Sequence, residues 1–280
     1  MLRIATDSTT DMPPGWEQEY EINVIPINIQ FGEKTYLQGV DLSYEDFYRL
    51  VDESGIIPKT SQPTPYQFKE FYKRIAQAGD TILSMHITSK LSGTYDSAVA
   101  ATRELADKFK IIAFDSANGS AGLGMMCREA RLLDRSGVGI DKILQRMEAI
   151  RRNISIILAL DTLEYARMSG RVRTLQAALA SLLNVKPIAV LQEGVLHMAE
   201  KVRTRKASLD RVTEMLKEKY GDMKVNVAVV HARDPEAGRS MLERAREVFN
   251  IQELIMTDLA TSIAANLGPG TVGLVVYPAE

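Results

Sequence analysis

The stretch TILSMHITSKLSGTYDSA, Thr81 to Ala98, decides how the chain is read. Thr81 to Ile87 is an apolar run of strand length, Thr88 to Gly93 is a hydroxyl-rich loop, and Gly93 to Phe109 reads as a helix. Outward from it the alternation repeats. Lys110 to Phe114 reads as a strand and Ala121 to Arg135 as a helix, while upstream Leu2 to Thr6 opens the chain as a strand. Thr64 followed by Pro65 starts a helix through a capping hydroxyl and a proline at the first helical position. Phe68, Phe71, Tyr72 and Ile75 give that helix one apolar face, and Gly79 stops it. Ile25, Ile27, Ile29 and Phe31 alternate with polar or imino residues before Gly32-Glu33-Lys34 turns into Thr35-Tyr36-Leu37. This predicts a half-buried hairpin, at an edge because Pro26 cannot donate to a ladder. Such alternation of strands and helices predicts an α/β fold whose N-terminal half is a mainly parallel sheet with helices on both faces.

The chain changes character around Arg151-Arg152-Asn153, which divides it into residues 1–152 and 153–280. Two domains also suit 280 residues at about 150 per domain. In the second half, Ser155 to Leu160 reads as a strand and Thr174 to Leu183 as a helix. Lys186 to Leu191 and Val195 to Lys201 pair as a hairpin across Gln192-Glu193-Gly194. Strands at Val225 to His231, Ile251 to Thr257 and Thr271 to Tyr277, with a helix at Pro235 to Val248, complete a mixed-sheet α/β domain. The charged share of 25% and the net charge of −2 call for neither nucleic acid nor an anionic surface. No apolar run is long enough to span a bilayer, and Met1 to Asp7 lacks the apolar segment of a signal peptide, so a cytoplasmic protein is expected. One cysteine, Cys127, and three histidines exclude an internal disulfide and a Cys/His metal cluster; no cofactor is expected.

Three polar turns, Asp7-Ser8, Thr88 to Gly93 and Asp115-Ser116, each follow the carboxyl end of a strand. In an open parallel sheet those ends share one edge, where ligands bind between strands. Each residue taken singly reads as a helix cap or turn former; together they mark a site for an anion or carboxylate. Ser92 can serve both ways, accepting from its own helix while donating to a ligand. Thr60 and Ser61 sit in a loop, Lys59 to Pro63, placed to close over the crevice.

Several chemistries are excluded. There is no phosphate-binding P-loop, and Gly122-Leu123-Gly124 lacks the third glycine of a dinucleotide fingerprint, so close helix packing is the reason for it. No nucleophile elbow surrounds Ser92. His86 reads as a packed, hydrogen-bonded histidine, His197 as surface, and His231 as a strand end within reach of an interface. Met85, Met125 and Met126 fall near the crevice, where thioethers suit an adaptable apolar pocket or simple core filling. Lys201, Arg203 and Arg205 alternate along a strand face, with Arg171 and Arg173 elsewhere. That row is either an edge that resists sheet aggregation or a docking face for an acidic partner.

Eight motifs in order resemble the bacterial DegV family: ATDSTTDMP (Ala5 to Pro13), KTSQPTP (Lys59 to Pro65), ITSKLSGTYDSA (Ile87 to Ala98), FDSANGSAGLG (Phe114 to Gly124), MSGRV (Met168 to Val172), LNVKPI (Leu183 to Ile188), KVRTRK (Lys201 to Lys206) and LGPGTVGL (Leu267 to Leu274). The resemblance runs from end to end. It implies a two-domain protein that buries one long-chain fatty acid, such as palmitate or stearate, between its domains. It further implies a non-catalytic subunit that presents the carboxylate to a separate ATP-using kinase subunit, which makes an acyl phosphate for phospholipid synthesis. Carried over by motif, Thr60, Ser61, Ser92, Gly93 and Asn266 hold the carboxylate. By the same resemblance Arg171, Arg203 and Arg205 fall on or near the face that meets the kinase, while Met85, Gly122, Met125 and Met126, near the crevice, are expected to line the tail. A monomer is expected. Two positions depart from the family pattern: Asn266 stands where many members have histidine, and Ser169 replaces one glycine. An amide donates a hydrogen bond but carries no proton to a reaction. The alternative functions are a lipid-responsive regulatory protein and a serine esterase acting through Ser92. For a palmitate-sized ligand, ~14 methylenes at about 0.8 kcal/mol each offer roughly 11 kcal/mol before binding costs. Two or three hydroxyl contacts at about 1.5–3 kcal/mol each cannot match that. Affinity comes from the tail, and the hydroxyls set orientation.

Overall fold

The computed structural model describes residues 1–173 and 185–279. The expected helix at Thr174 to Leu183 lies outside the described residues. Four parallel strands form the first sheet in the order β2-β1-β6-β7: β1 (Leu2–Asp7), β2 (Ile22–Ile25), β6 (Thr81–His86) and β7 (Lys110–Asp115). Side chains alternate across it, as the two-residue period of a strand demands. Ala5 and Ile82 pack with α3 (Pro65–Ile75) and α4 (Thr94–Glu104), while Ile4, Leu83 and Met85 join a second cluster with α5 (Ser120–Arg135). Helices therefore cover both faces. Helix α3 begins as its residues require: the Thr64 hydroxyl accepts from Gln67 N, the Gln67 side chain reaches back to Thr64, and Pro65 opens the first turn. Helix α4 stops at Glu104, short of the expected Phe109, because Leu105 to Phe109 close in turns that place Phe109 against the α3–α4 core.

The expected hairpin forms between β3 (Asn28–Phe31) and β4 (Lys34–Leu37), but not in the parallel sheet. Ile22–Ile25 is a separate edge strand of that sheet, and Pro26 breaks the chain before β3. The hairpin instead pairs with β5 (Lys59–Ser61) in a small antiparallel sheet, Ile29 opposite Thr60. Two further helices, α1 (Trp16–Glu19) and α2 (Tyr44–Ser54), flank these strands.

The second half builds a mixed seven-stranded sheet, order β13-β12-β14-β8-β10-β11-β9. Its strands are β8 (Ser155–Ala159), β9 (Val172–Arg173), β10 (Lys186–Gln192), β11 (Val195–Val202), β12 (Lys224–His231), β13 (Asn250–Asp258) and β14 (Val272–Pro278). The β10–β11 hairpin turns at Glu193 and Gly194, both at positive φ (49° and 78°), the geometry of a two-residue hairpin turn. One face is covered by α8 (Arg205–Tyr220) and α9 (Pro235–Val248), with Leu209, Val212, Leu216, Met241 and Ala245 as its core. The other face meets α5. Between the halves run α6 (Ile140–Asn153), α7 (Glu164–Ser169) and α10 (Thr261–Leu267).

Helix α5 is thus shared by both sheets, and its two glycines let it approach the second sheet and the loop after β1 closely. A Cβ at Gly122 would press on Ile154, Val275 and Ile156, and one at Gly124 would come within 2.5 Å of the Asp11 carbonyl oxygen. Among the described residues, no helix is long and apolar enough to cross a membrane.

Candidate functional site

The parallel sheet sends its carboxyl ends to one edge, and the second half closes over that edge. Between them lies a cavity of about 200 Å³. The first half contributes Thr9 from the loop after β1, Thr60, Ser61 and Gln62 from β5 and its loop, and Leu91, Ser92 and Gly93 ahead of α4. It also supplies Asn118, Gly119 and Ser120 at the start of α5. The second half contributes Ile156 and Leu158 of β8, Arg171, the hairpin residues Leu191 and Leu196, and Ser262, Ile263, Asn266 and Leu267 of α10. Hydroxyls and amides line part of this space and branched aliphatic side chains the rest. It can hold a molecule with a polar head and an apolar body.

The five residues expected to hold a carboxylate, Thr60, Ser61, Ser92, Gly93 and Asn266, all line this cavity. Asn266 Nδ2 donates to the Thr60 hydroxyl (3.2 Å) and to the Ser262 carbonyl (2.6 Å), joining residues 206 positions apart. That double donation leaves the Thr60 O–H free to donate to a ligand. The Ser92 hydroxyl lies 2.8 Å from the Thr94 hydroxyl and accepts from Thr94 N at 3.3 Å. Neither partner is a base, so the geometry withholds the activation an esterase nucleophile needs. Gly93 is packed by the Gln62 side chain, 2.9 Å from where a Cβ would stand. The Lys59–Pro63 loop therefore does close against the Ser92 loop, and glycine at 93 permits it.

The tail-lining expectation needs correction. Met85, Met125 and Met126 are buried in the core shared by the sheets and α5, and neither they nor Gly122 is among the lining residues. Their positions on α5 and β6 face sheet-to-sheet packing, whereas the apolar walls come from Ile27, Ile87 and the strands and hairpin of the second half. The basic row is also rearranged. Only Lys201 lies on β11; Arg203 follows the strand and is exposed, and Arg205 opens α8. Arg205 donates to Asp234 (2.8 Å) and to the Gly270 carbonyl (2.6 Å), a structural tie that holds the loop before β14. Arg171 lines the cavity while its guanidinium donates to the Ser169 carbonyl at 2.8 Å.

Two buried aspartates frame the site. Asp7 accepts from Thr9 N, the Thr9 hydroxyl, Ile87 N and His86 Nδ1, the last two at 3.0 Å. Burial pushes its carboxyl up, but the His86 contact and the other donors prevail and hold it below its ordinary value. His86 Nε2 is 2.7 Å from the Ser84 hydroxyl, which contacts the Tyr72 hydroxyl at 2.9 Å. Asp7, His86 and Ser84 repeat the partners of a hydrolytic triad, yet all are fully buried and Ser84 sits inside β6 beneath α3. No substrate reaches it; His86 is the packed histidine expected. Asp11 differs: its carboxylate meets the Ser120 hydroxyl and Ala260 N (2.7 Å), and burial, with Asp258 adding to it, pushes it up to about 7. Cys127 is buried and its thiol is pushed up to about 12 by burial, which leaves it unreactive. His231 is buried with its pKa lowered by desolvation, and His197 is partly exposed.

Residue-by-residue reading missed Thr9, Asn118, Ser120 and the whole of α10. The signal for α10 was present: an alanine-rich run beginning at Thr261 and ending at Gly268, whose φ of 88° suits glycine alone. Among the described residues, no group of side chains is arranged to hold a metal ion.

The family model described as uncharacterised proteins of the DegV family matches residues 1–279. A DegV domain-containing protein of Streptomyces coelicolor is 31% identical over 277 residues, 98% of each chain. Among solved structures, a DegV family protein from Thermus thermophilus, described by its fatty acid binding, superposes with a TM-score of 0.89 at 28% identity over 99% of both chains. DegV of Bacillus subtilis, described as a fatty acid binding protein, gives 0.88 at 28% identity over 99% of both.

Proposed function

Because the chain belongs to the DegV family, we propose that its cavity holds one long-chain fatty acid and that the protein presents the carboxylate to a separate ATP-using kinase subunit. The observation that carries this reading is the cavity itself: Thr60, Ser61, Ser92, Gly93 and Asn266 all line it with further polar groups such as Ser120 and Ser262, while Ile27, Ile87, Leu91, Ile156, Leu158, Leu191, Leu196, Ile263 and Leu267 supply its aliphatic walls. Residues 1–152 supply the carboxylate loops, and residues 153–280 complete the apolar walls. The Thr60 and Ser92 hydroxyls donate to the carboxylate oxygens, with Gly93 backbone assisting. Ile27, Ile87, Leu158, Leu191, Leu196 and Leu267 receive the chain. Arg171, at the cavity, and the exposed Arg203 form the face toward the kinase; Arg205 supports that face through Asp234. The chain itself performs no bond-making step, acts without a cofactor and works as a cytoplasmic monomer.

Two measurements test the reading. Denatured recombinant protein is extracted and the extract analysed by mass spectrometry, alongside uptake of added palmitate. A bound fatty acid or saturable uptake is expected; an empty extract with no uptake from a folded sample refutes it. In reconstitution with a fatty acid kinase and ATP, Thr60→Ala with Ser92→Ala lowers phosphorylation far more than uptake. Equal losses contradict the division of labour between head and tail.

A further inference from the structure

Three walls of the cavity meet at a single buried side chain. Asp11 follows Thr9 on the loop after β1, its carboxylate accepts from the Ser120 hydroxyl at the start of α5, and it accepts from Ala260 N immediately ahead of α10. Thr9, Ser120 and the α10 residues Ser262 and Asn266 all line the cavity. The backbone repeats the tie between the first two walls, since Ser120 N donates to the Thr9 carbonyl at 2.9 Å. A second polar tie joins α10 to this loop region: Ser262 N donates to Gln38 Oε1 (3.1 Å), and Gln38 Nε2 donates to the Ser8 carbonyl (2.7 Å). Gln38 does not titrate. Asp11 does.

We infer that Asp11 is a positioning residue that clamps α10, and with it Asn266, against the carboxylate end of the cavity, and that the clamp holds when protonated and loosens when ionised. Both oxygens are engaged in either state. Protonated, the carboxyl donates to Ser120 and still accepts from Ala260. Ionised, it is a 2% exposed charge with two neutral donors and no cation. Such a charge is relieved when water enters, and the seam through which water enters is the one between the β1 loop and α10. The groups around it do not offset this. Thr10 and Met12 flank it on its own loop, Gly124 of α5 lies against its backbone, and Ala260 precedes α10; none is ionisable. Among the described residues, the ionisable group that acts on it is Asp258 at the end of β13, of like charge and 3.4 Å from His231. Titration at about 7 puts the switch in the physiological range.

The consequence for lipid release rests on the fatty-acid reading; the clamp itself does not. Hydrogen exchange of the α10 amides, corrected for intrinsic rates, is therefore measured without lipid at pH 6 and pH 8, in the wild type, Asp11→Asn and Asp11→Ala. A group that titrates at about 7 when clamped and at about 4 when open raises the open fraction about tenfold between those pH values, levelling above. Asp11→Asn keeps both contacts without a charge and should abolish that rise, while Asp11→Ala should expose α10 at both pH values. A rise in Asp11→Asn equal to the wild type, or no rise in the wild type, overturns the inference. Palmitate release from the loaded protein should then quicken with pH in the wild type and lose that dependence in Asp11→Asn. Absence of palmitate binding with the exchange pattern intact refutes the fatty-acid reading and leaves the clamp standing.

Discussion

Asp7 ends β1 and Asp11 lies four residues later on the loop that follows, both almost fully buried, yet they behave oppositely. Asp7 collects four donors, one of them a histidine ring, and is held as a carboxylate. Asp11 has two donors and a like-charged neighbour, and burial prevails. Burial sets the cost of a charge, and the number and kind of donors decide whether the charge survives. The difference follows from location. Asp7 sits where two parallel strands deliver backbone N–H groups and a side-chain ring to one point. Asp11 sits between the halves, where α10 offers one N–H. The first region is a rigid foundation of the N-terminal sheet, and the second is an adjustable joint against the cavity.

The comparison has consequences of opposite sign with pH. Asp7, with a lowered pKa, contributes stability that is present above about 4 and lost as pH falls further. Asp11, with a raised one, contributes stability that is present below about 4 and lost as pH rises toward 7. Four substitutions would break or sharpen the contrast. Asp7→Ala strands Ile87 N, Thr9 N and the His86 ring, and chemical denaturation at pH 7 should show a loss of about 3–5 kcal/mol. Asp11→Asn should gain on the order of 2–4 kcal/mol at pH 8 in the same assay, shrinking toward zero near pH 4. Equal effects at both pH values would mean that Asp11 does not titrate in the fold. Gly124→Ala drives a methyl at the Asp11 carbonyl oxygen and should cost about 1–3 kcal/mol, with α10 exchanging faster in hydrogen-exchange mass spectrometry. Tyr72→Phe removes the outermost hydroxyl of the Asp7 network. It should lower stability by only about 1 kcal/mol, because Ser84 keeps its contact with His86.

How far such regions can be read from sequence depends on the range of the contacts. The strand, loop and helix of Thr81 to Ala98 were legible, as were the Thr64 cap and the Glu193-Gly194 turn, because each is decided by residues within a few positions. Thr60 was legible from its hydroxyl-bearing loop, and the DegV resemblance brought Asn266 into view from its place just before the Gly268-Pro269-Gly270 turn. The alternation from Ile25 to Phe31 reads as one strand, whereas Pro26 splits it between two sheets, and which sheet takes the hairpin was not legible, since alternation specifies a pleat and not a partner. For Met125 and Met126 a pocket role and simple core filling both stood open, because proximity in sequence to the crevice says nothing about which face of α5 meets the second sheet; the fold buries them in the core. Arg205 looked like part of a strand row, but Thr204 caps a helix there and turns the side chain toward Asp234.

From its sequence alone this protein was committed to two α/β halves, a row of hydroxyl-bearing turns at strand ends, and the motifs of its family. These follow from backbone preference, side-chain period and capping, which act locally. Only the folded arrangement decided that Thr60 meets Asn266, that α5 serves two sheets, and that Asp7 and Asp11 part company. Desolvation and donor supply belong to the assembled space around a group, and that space is built from segments distant along the chain.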